Sequence, residues 1–346
     1  MQTRVCRLYD KHDIRIEADS VAEPSASQVL VAIGAGGICG SDLHYFHDGG
    51  FGPIRVKEPI ILGHEIAGTV LAVGEGVTNV NPGDRVALNP SRPCGACKYC
   101  DAGMFNHCLN MRFYGSAMRF PHEQGAFRDR IIAEAVQCEP VGEGTSIAEA
   151  ACAEPLAVCV HAASRAGDLA GKRVLVTGAG PIGALCAAVA RQRGATEIVV
   201  TDLQDATLAI AARMGATRTV NVLREGDAMD AYAADKGHFD VVFECSAAAP
   251  AVRTAIACVR PRGVIVQVGV TGDTPVPLNL IVSKEIALTG THRFHAEFGE
   301  AVRLIDSGAI DVKPIITGTY PLENALAAFE AAGDRSRSVK VQLSFT

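Results

Sequence analysis

Four cysteines fall within fifteen residues, at Cys94, Cys97, Cys100 and Cys108, in the segment RPCGACKYCDAGMFNHC. Thiolates at this spacing close a tetrahedral shell around zinc and leave no position for a substrate, so the pattern reads as a structural metal site. Gly95 and Gly103 give the loop the freedom to wrap an ion. An accidental group of buried cysteines or a redox dithiol accounts less well for four ligands in one polar loop.

A second set of metal-binding side chain types is scattered. Cys39 lies in GGICGSDLHY, His64 and Glu65 lie in GHEIAG, and Glu154 lies in AACAEPLAV with Cys152 close by. Taken singly, Cys39 is compatible with a small buried hydrophobe and His64 with a hydrogen-bonded core histidine. Glu154 is harder to accommodate, because a carboxylate in an apolar run is costly unless it is paired or bound to metal.

A third group points to a nucleotide. Gly178-Ala179-Gly180-Pro181-Ile182-Gly183 follows the apolar run VLVT and opens an Ala-rich stretch. In that context Gly178 permits a tight turn, Gly180 lets a pyrophosphate approach the backbone, and Gly183 lets helix and strand pack closely. The next strand-like run, EIVVT, ends at Asp202, nineteen residues after Gly183. A carboxylate there accepts from ribose hydroxyls and repels a 2′-phosphate, and Leu203 follows where a cation would favour NADP. NAD is the expected cofactor, with NADP not excluded.

These residues need elements to hold them. Before residue 150 the chain is rich in short β-like runs broken by Gly, Pro and Asn, such as 28–35, 66–73 and 85–88. After Lys172 strand-like and helical stretches alternate: strands at 173–177, 197–201, 241–245 and 264–268, helices at 182–192, 206–214 and 251–259. Such alternation implies right-handed crossovers and a parallel sheet. Past about Phe294 it stops, with helices expected at 301–306 and 322–332 and a closing strand at 339–344. The expected fold is therefore α/β, a Rossmann-type doubly wound sheet joined to a mostly β domain. A chain of 346 residues exceeds what one core usually serves, so two domains are expected. Residues 1–155 with 294–346 are expected to form one and residues 156–293 the other.

Composition narrows the class. Hydrophobic residues make up 48% and the net charge is −6, which disfavours a nucleic-acid or acidic-membrane binder. The N-terminus, MQTRVCRLYDKHDIRIEADS, has no apolar core segment of a secretory signal. The apolar stretch Val174 to Ala190 is interrupted by Gly178, Gly180, Pro181 and Gly183. A cytoplasmic protein acting on a small molecule, with no membrane or nucleic-acid partner, is expected.

GHEIAGTVLAVG resembles the zinc signature of the medium-chain alcohol and polyol dehydrogenases. The order Cys39, His64, four-cysteine loop, Glu154 and glycine motif matches that family over essentially the whole chain. The resemblance implies a GroES-like catalytic domain, a homotetramer or dimer, and two zinc ions per chain. The catalytic ion would be held by Cys39, His64 and either Glu65 or Glu154, with an open position for substrate. A glutamate at 154, where simple alcohol dehydrogenases have cysteine, is typical of the sorbitol and threonine dehydrogenase branch. The family's proton relay maps onto Ser41 and His44. Tyr45 and Arg293 match residues that touch polyol and cofactor. Val268, Gly269 and Val270, with Thr291, His292 and Arg293, are expected among the cofactor contacts.

The segments MRFYGSAMRFPHEQGAF, NPSRPCGACKYC and KVQLSF are most similar to the branch of carbohydrate metabolism that interconverts L-idonate and 5-keto-D-gluconate. A sugar acid carries a carboxylate that sorbitol lacks, and its site needs a cation or N–H donors. Arg112, Arg119, His122 and Arg293 are the cations in the distinctive segments; Arg119 or His122 is the expected carboxylate partner. A sorbitol- or xylitol-type polyol dehydrogenase is the alternative. A non-catalytic protein that binds zinc and nucleotide is a third reading. One departure bears on cofactor choice: sorbitol dehydrogenases carry an arginine where this chain has Thr207.

Overall fold

A computed structural model describes residues 1–270 and 272–345. Six parallel strands form one sheet in the order Arg218–Asn221, Glu197–Asp202, Arg173–Thr177, Phe239–Glu244, Val259–Gln267, Ala287–Gly290. In chain order this is 3-2-1-4-5-6, the doubly wound arrangement whose switch point lies between the first and fourth strands. Runs such as RVLVT and FDVVFE are almost wholly buried, because helices cover both faces. Helix Pro181–Gln192 starts directly after the first strand, with Gly180 as N-cap and Pro181 in its first turn.

The second large sheet is mostly antiparallel and has Gln28–Gly37 near its centre. That strand pairs with Glu65–Val73, with Arg130–Glu134 and with the C-terminal strand Lys340–Ser344. Gly37 is in register with both Glu65 and Gln342, so segments far apart in sequence meet at one point. A smaller sheet joins Asp13–Ser20, Gln2–Asp10 and Ile60–Ile61.

The expected strands and helices are present with shifted ends, and further elements accompany them. The strands Arg218–Asn221 and Ala287–Gly290 are four-residue edge strands, too short for a periodic signal. The hairpin of Gln2–Asp10 and Asp13–Ser20 is dense in charge because its second strand is largely exposed. Helix Gly40–Asp48 has a cysteine N-cap, and Asp42 completes the cap by accepting from Cys39 N–H at 3.0 Å. The expected helix at 322–332 is divided into the 3₁₀ turn Leu322–Asn324 and helix Ala325–Gly333. The stretch Ile147–Ala166 has the length and apolarity to cross a membrane, but 67% of its window is buried inside the protein. Its helix Ala153–Ala166 packs on Pro181–Gln192 and on Glu297–Asp306.

Candidate active site and metal centres

The open metal site is built where the antiparallel sheet ends. Cys39 follows strand Gln28–Gly37, and His64 immediately precedes strand Glu65–Val73. Register between Gly37 and Glu65 sets the two strand ends side by side, and any Cβ on Gly37 would collide with the Glu65 carboxylate. Cys39, His64 and Glu65 offer ligand atoms that all lie within 4.8 Å of one another.

His64 is buried, and its Nδ1 has no hydrogen-bond partner; Asp42 Oδ1 stands 3.7 Å away. Asp42 is itself fully buried, accepting from the backbone N–H of Cys39 and of Gly63 at 3.0 and 3.3 Å. A buried, unsatisfied imidazole beside a thiol and a carboxylate fits a metal ion, with Asp42 placed to orient the ring from behind. Burial pushes the Cys39 thiol up to about 11, and the Glu65 carboxylate adds to it.

Both Glu65 oxygens accept from Lys340 Nζ, at 2.7 and 2.6 Å, and the same ammonium donates to Ile38 O at 3.1 Å. Glu154 lies in the first turn of helix Ala153–Ala166, where a carboxylate is favoured by the helix dipole. It is buried outside the tight trio. Burial pushes its carboxyl up to about 8, while His64 pulls it down and Glu65 and Cys39 push it further up.

Further side chains lie near this set. The Arg293 guanidinium sits 4.0 Å from the centroid of Phe113, whose ring is 5.3 Å from that of His64. Burial lowers Arg293, against the pull of Glu154 and Tyr45. Tyr45 is buried, and its hydroxyl accepts from Ala117 N–H at 3.3 Å. Ser41 lies near Cys39 and slightly counters the upward push on its thiol, and His44, one turn along the same helix, is exposed with Nδ1 3.0 Å from Asp48 Oδ2.

One expected role does not survive. The His122 side chain is buried, donating from Nδ1 to Arg119 O at 2.6 Å and accepting Lys57 N–H on Nε2 at 2.8 Å. Both nitrogens are committed to the protein, so His122 braces the loop and does not bind a carboxylate. Arg112 is exposed and paired with Glu123 at 3.6 Å. Arg119 is half-buried on the same loop.

The four-cysteine loop folds as a separate lobe. Cys97 Sγ lies 3.6 Å from Cys100 Sγ and 3.9 Å from Cys108 Sγ, all four ligand atoms lie within 4.8 Å, and none is in a disulfide. Backbone N–H groups of Cys94, Leu109 and Asn110 point at these sulfurs. N–H donors from Cys100 and Leu109 bring the Cys97 thiol down to about 6, which suits a thiolate ligand.

At the glycine motif the backbone turns tightly and packs closely. Gly178 has φ +88°, and a Cβ on Gly183 would overlap Gly178 O. Asp202 closes the crevice, accepting from Ala179 N–H at 2.6 Å and from Leu203 and Gln204 N–H at 2.7 and 2.9 Å. Opposite, Val268 and Gly269 follow strand Val259–Gln267, with their N–H groups on Glu244 O, and Val270 is exposed. Thr291, His292 and Arg293 follow the last parallel strand, and the buried Thr291 Oγ1 has no partner among the described residues.

Asp42, Phe113 and Lys340 were not singled out from the sequence. Asp42 lies in the CGSD segment beside Cys39, and Phe113 in MRFYG, so proximity to motifs was a usable signal. Lys340 opens KVQLSF, so its segment was marked, but its pairing with Glu65, 275 residues away, had no local signal.

Comparison with known proteins agrees with this geometry. Residues 25–143 match the alcohol dehydrogenase GroES-like domain and residues 181–307 the zinc-binding dehydrogenase family. The chain is 41% identical to the L-idonate 5-dehydrogenase (NAD(P)(+)) of Escherichia coli K12 over 100% of its own length and 99% of the relative's. The crystal structure of L-idonate 5-dehydrogenase from Escherichia coli K-12 superimposes with a TM-score of 0.96, covering 100% of this chain and 99% of that one. Sorbitol dehydrogenase of Bacillus subtilis is 36% identical over 94% of this chain and 92% of the relative. The chain belongs to the zinc-dependent medium-chain alcohol and polyol dehydrogenases, and is an oxidoreductase that works with zinc and NAD(P).

Proposed function

We propose that the protein oxidises the secondary hydroxyl of L-idonate to 5-keto-D-gluconate, with NAD as the preferred acceptor. The observation that carries this reading is the full-length identity of 41% to an L-idonate 5-dehydrogenase, against 36% to a sorbitol dehydrogenase. It is reinforced by two arginines, Arg293 at the site and Arg119 on the adjoining loop, available for a sugar acid's carboxylate.

When bound, zinc supplies Lewis acidity toward a substrate hydroxyl and NAD supplies a hydride acceptor. Cys39, His64 and Glu65 would hold the catalytic zinc, because their donor atoms form the tight trio; Lys340 offsets the charge of Glu65. Glu154 would stand as a second buried carboxylate close to Cys39, His64 and Glu65. Ser41 would pass the departing proton toward exposed His44, whose imidazole can exchange it with water. Cys94, Cys97, Cys100 and Cys108 would hold the structural zinc. Gly178, Gly180, Pro181, Ile182 and Gly183 would cradle the pyrophosphate and Asp202 the adenosine ribose. Val268, Gly269, Val270, Thr291 and His292 would line the nicotinamide half. Tyr45 and Arg293 would orient the substrate's hydroxyls.

The reading also includes a division into residues 1–155 with 294–346 and residues 156–293, a cytoplasmic location, and a homotetramer or dimer. Twelve free cysteines support a reducing compartment. The exposed edge strand Ala287–Gly290, which carries exposed Leu288 and follows exposed Leu278 and Val282, supports self-association.

The test is NADH absorbance with L-idonate, gluconate, sorbitol and xylitol in turn, then with NADP. L-idonate should give the highest kcat/KM. Preference for sorbitol or xylitol would replace the substrate assignment with the polyol reading, and no turnover of any alcohol by zinc-loaded protein would favour a binding protein.

A further inference from the structure

The four-cysteine lobe does more than fold its own loop. Between Cys100 and Cys108 the chain turns through Gly103, at φ +74°, into the 3₁₀ turn Phe105–His107, which ends at the ligand residue Cys108. All three residues of that turn reach the segment His292–His295. Phe105 stacks on the His295 ring with centroids 4.1 Å apart. Asn106 Nδ2 donates to His292 O at 2.9 Å. His107 stacks on His292 at 5.7 Å.

Between the two gripped histidines lies Arg293. Its backbone has φ +51°, a conformation a non-glycine residue keeps only when its surroundings impose it. Its guanidinium rests on Phe113, which packs in one small apolar cluster with Cys100, Cys108 and Met111. The same lobe therefore fixes Arg293 twice, through the carbonyl before it and through the ring beneath its side chain.

We infer that Asn106 and Phe105 are positioning residues for the reaction: anchored by the structural zinc, they set the placement of Arg293 over the catalytic site. The inference rests on the reading of Arg293 as a substrate- or cofactor-binding residue. It predicts that damage to the turn is felt in catalysis chiefly through Arg293.

The test is a double-variant cycle on the zinc-loaded protein, using the alcohol turned over best. Asn106→Asp keeps the shape and removes the donor, and should lower kcat/KM about fivefold, the loss of one hydrogen bond. Arg293→Ala should lower it by about tenfold or more. In the Arg293→Ala background, Asn106→Asp should cost nothing further, while zinc content stays at two per chain and its effect on melting temperature is the same in both backgrounds. Phe105→Leu provides a second, independent cycle should Asn106→Asp fail to fold, and Phe105→Tyr should restore kcat/KM. Equal losses in both backgrounds, or no loss in the parent, would overturn the inference and leave Arg293 in place. An Arg293→Ala variant with unchanged kcat/KM would instead overturn the site reading, and this inference with it.

Discussion

The pairing of Lys340 with Glu65 makes a quantitative claim about how the open metal site is held. Both side chains are only 2% exposed, joined by contacts of 2.6 and 2.7 Å, with a further bond from Lys340 to Ile38 O. Burial works against the ammonium, yet the Glu65 carboxylate, joined by Cys39 and Cys152, more than offsets it and the group ends above its ordinary value. Lys340→Met keeps the stem and its apolar contacts while deleting the charge. Glu65 is then an uncompensated buried anion, a loss of about 3 to 5 kcal/mol. The stranded Ile38 carbonyl adds about 1 kcal/mol. Urea unfolding of metal-depleted protein should show this full deficit. Zinc at Cys39, His64 and Glu65 offers positive charge to the same carboxylate, so the deficit should shrink in loaded protein. Adding Glu65→Gln removes the orphaned charge, and the double variant should recover most of the loss. A deficit under about 1 kcal/mol without metal, or a double variant equal to the sum of the singles, would refute the argument.

Gly183→Ala should raise the dissociation constant for NAD by about tenfold or more, because helix Pro181–Gln192 must move off Gly178 O; fluorescence titration with NADH reads it, and unchanged binding would contradict the close approach. Asp202→Ala should weaken NAD more than NADP, moving the ratio of their kcat/KM values by about tenfold; equal losses would show that Asp202 only braces Ala179. Glu297 is held down at about 2, first by its hydrogen bond from His161 at 2.8 Å and against the effect of burial. Its folded value lies below the ordinary 4.5, so its stabilisation is present above that pH and is lost as pH falls through about 2. Glu297→Gln should therefore flatten the acid decline of stability across that window, measured by unfolding at stepped pH.

What the sequence disclosed follows from how local each signal is. The glycine motif, its strand and its helix occupy one continuous stretch, so the crevice could be read from residue types and spacing alone. The four-cysteine loop is equally local. The parallel strands announced themselves because both faces are buried, which turns them into unbroken apolar runs. The edge strands did not, since an edge strand of four residues carries neither a run nor an alternation. Helix Gly40–Asp48 stayed hidden because its cap is a cysteine and its apolar residues are few.

The catalytic pocket was legible only as an inventory, and the fold decides which members of an inventory are free to act. Four cations were candidates for a sugar acid's carboxylate: Arg112, Arg119, His122 and Arg293. Their types are equivalent on paper, but their partners are not. Arg112 faces Glu123, and His122 spends one nitrogen on Arg119 O and the other on Lys57 N–H. Each of these commitments joins residues brought together by loop geometry, which spacing does not encode. The same holds for the carboxylates. Glu65 and Glu154 look alike in the sequence, but strand Lys340–Ser344 places an ammonium against Glu65 and the register with Gly37 sets it beside Cys39, while Glu154 lies outside that trio with no such partner among the described hydrogen bonds. Specificity in this protein is thus a matter of which charges the tertiary structure has already neutralised, and Arg119 and Arg293 are where a substrate carboxylate has most to gain.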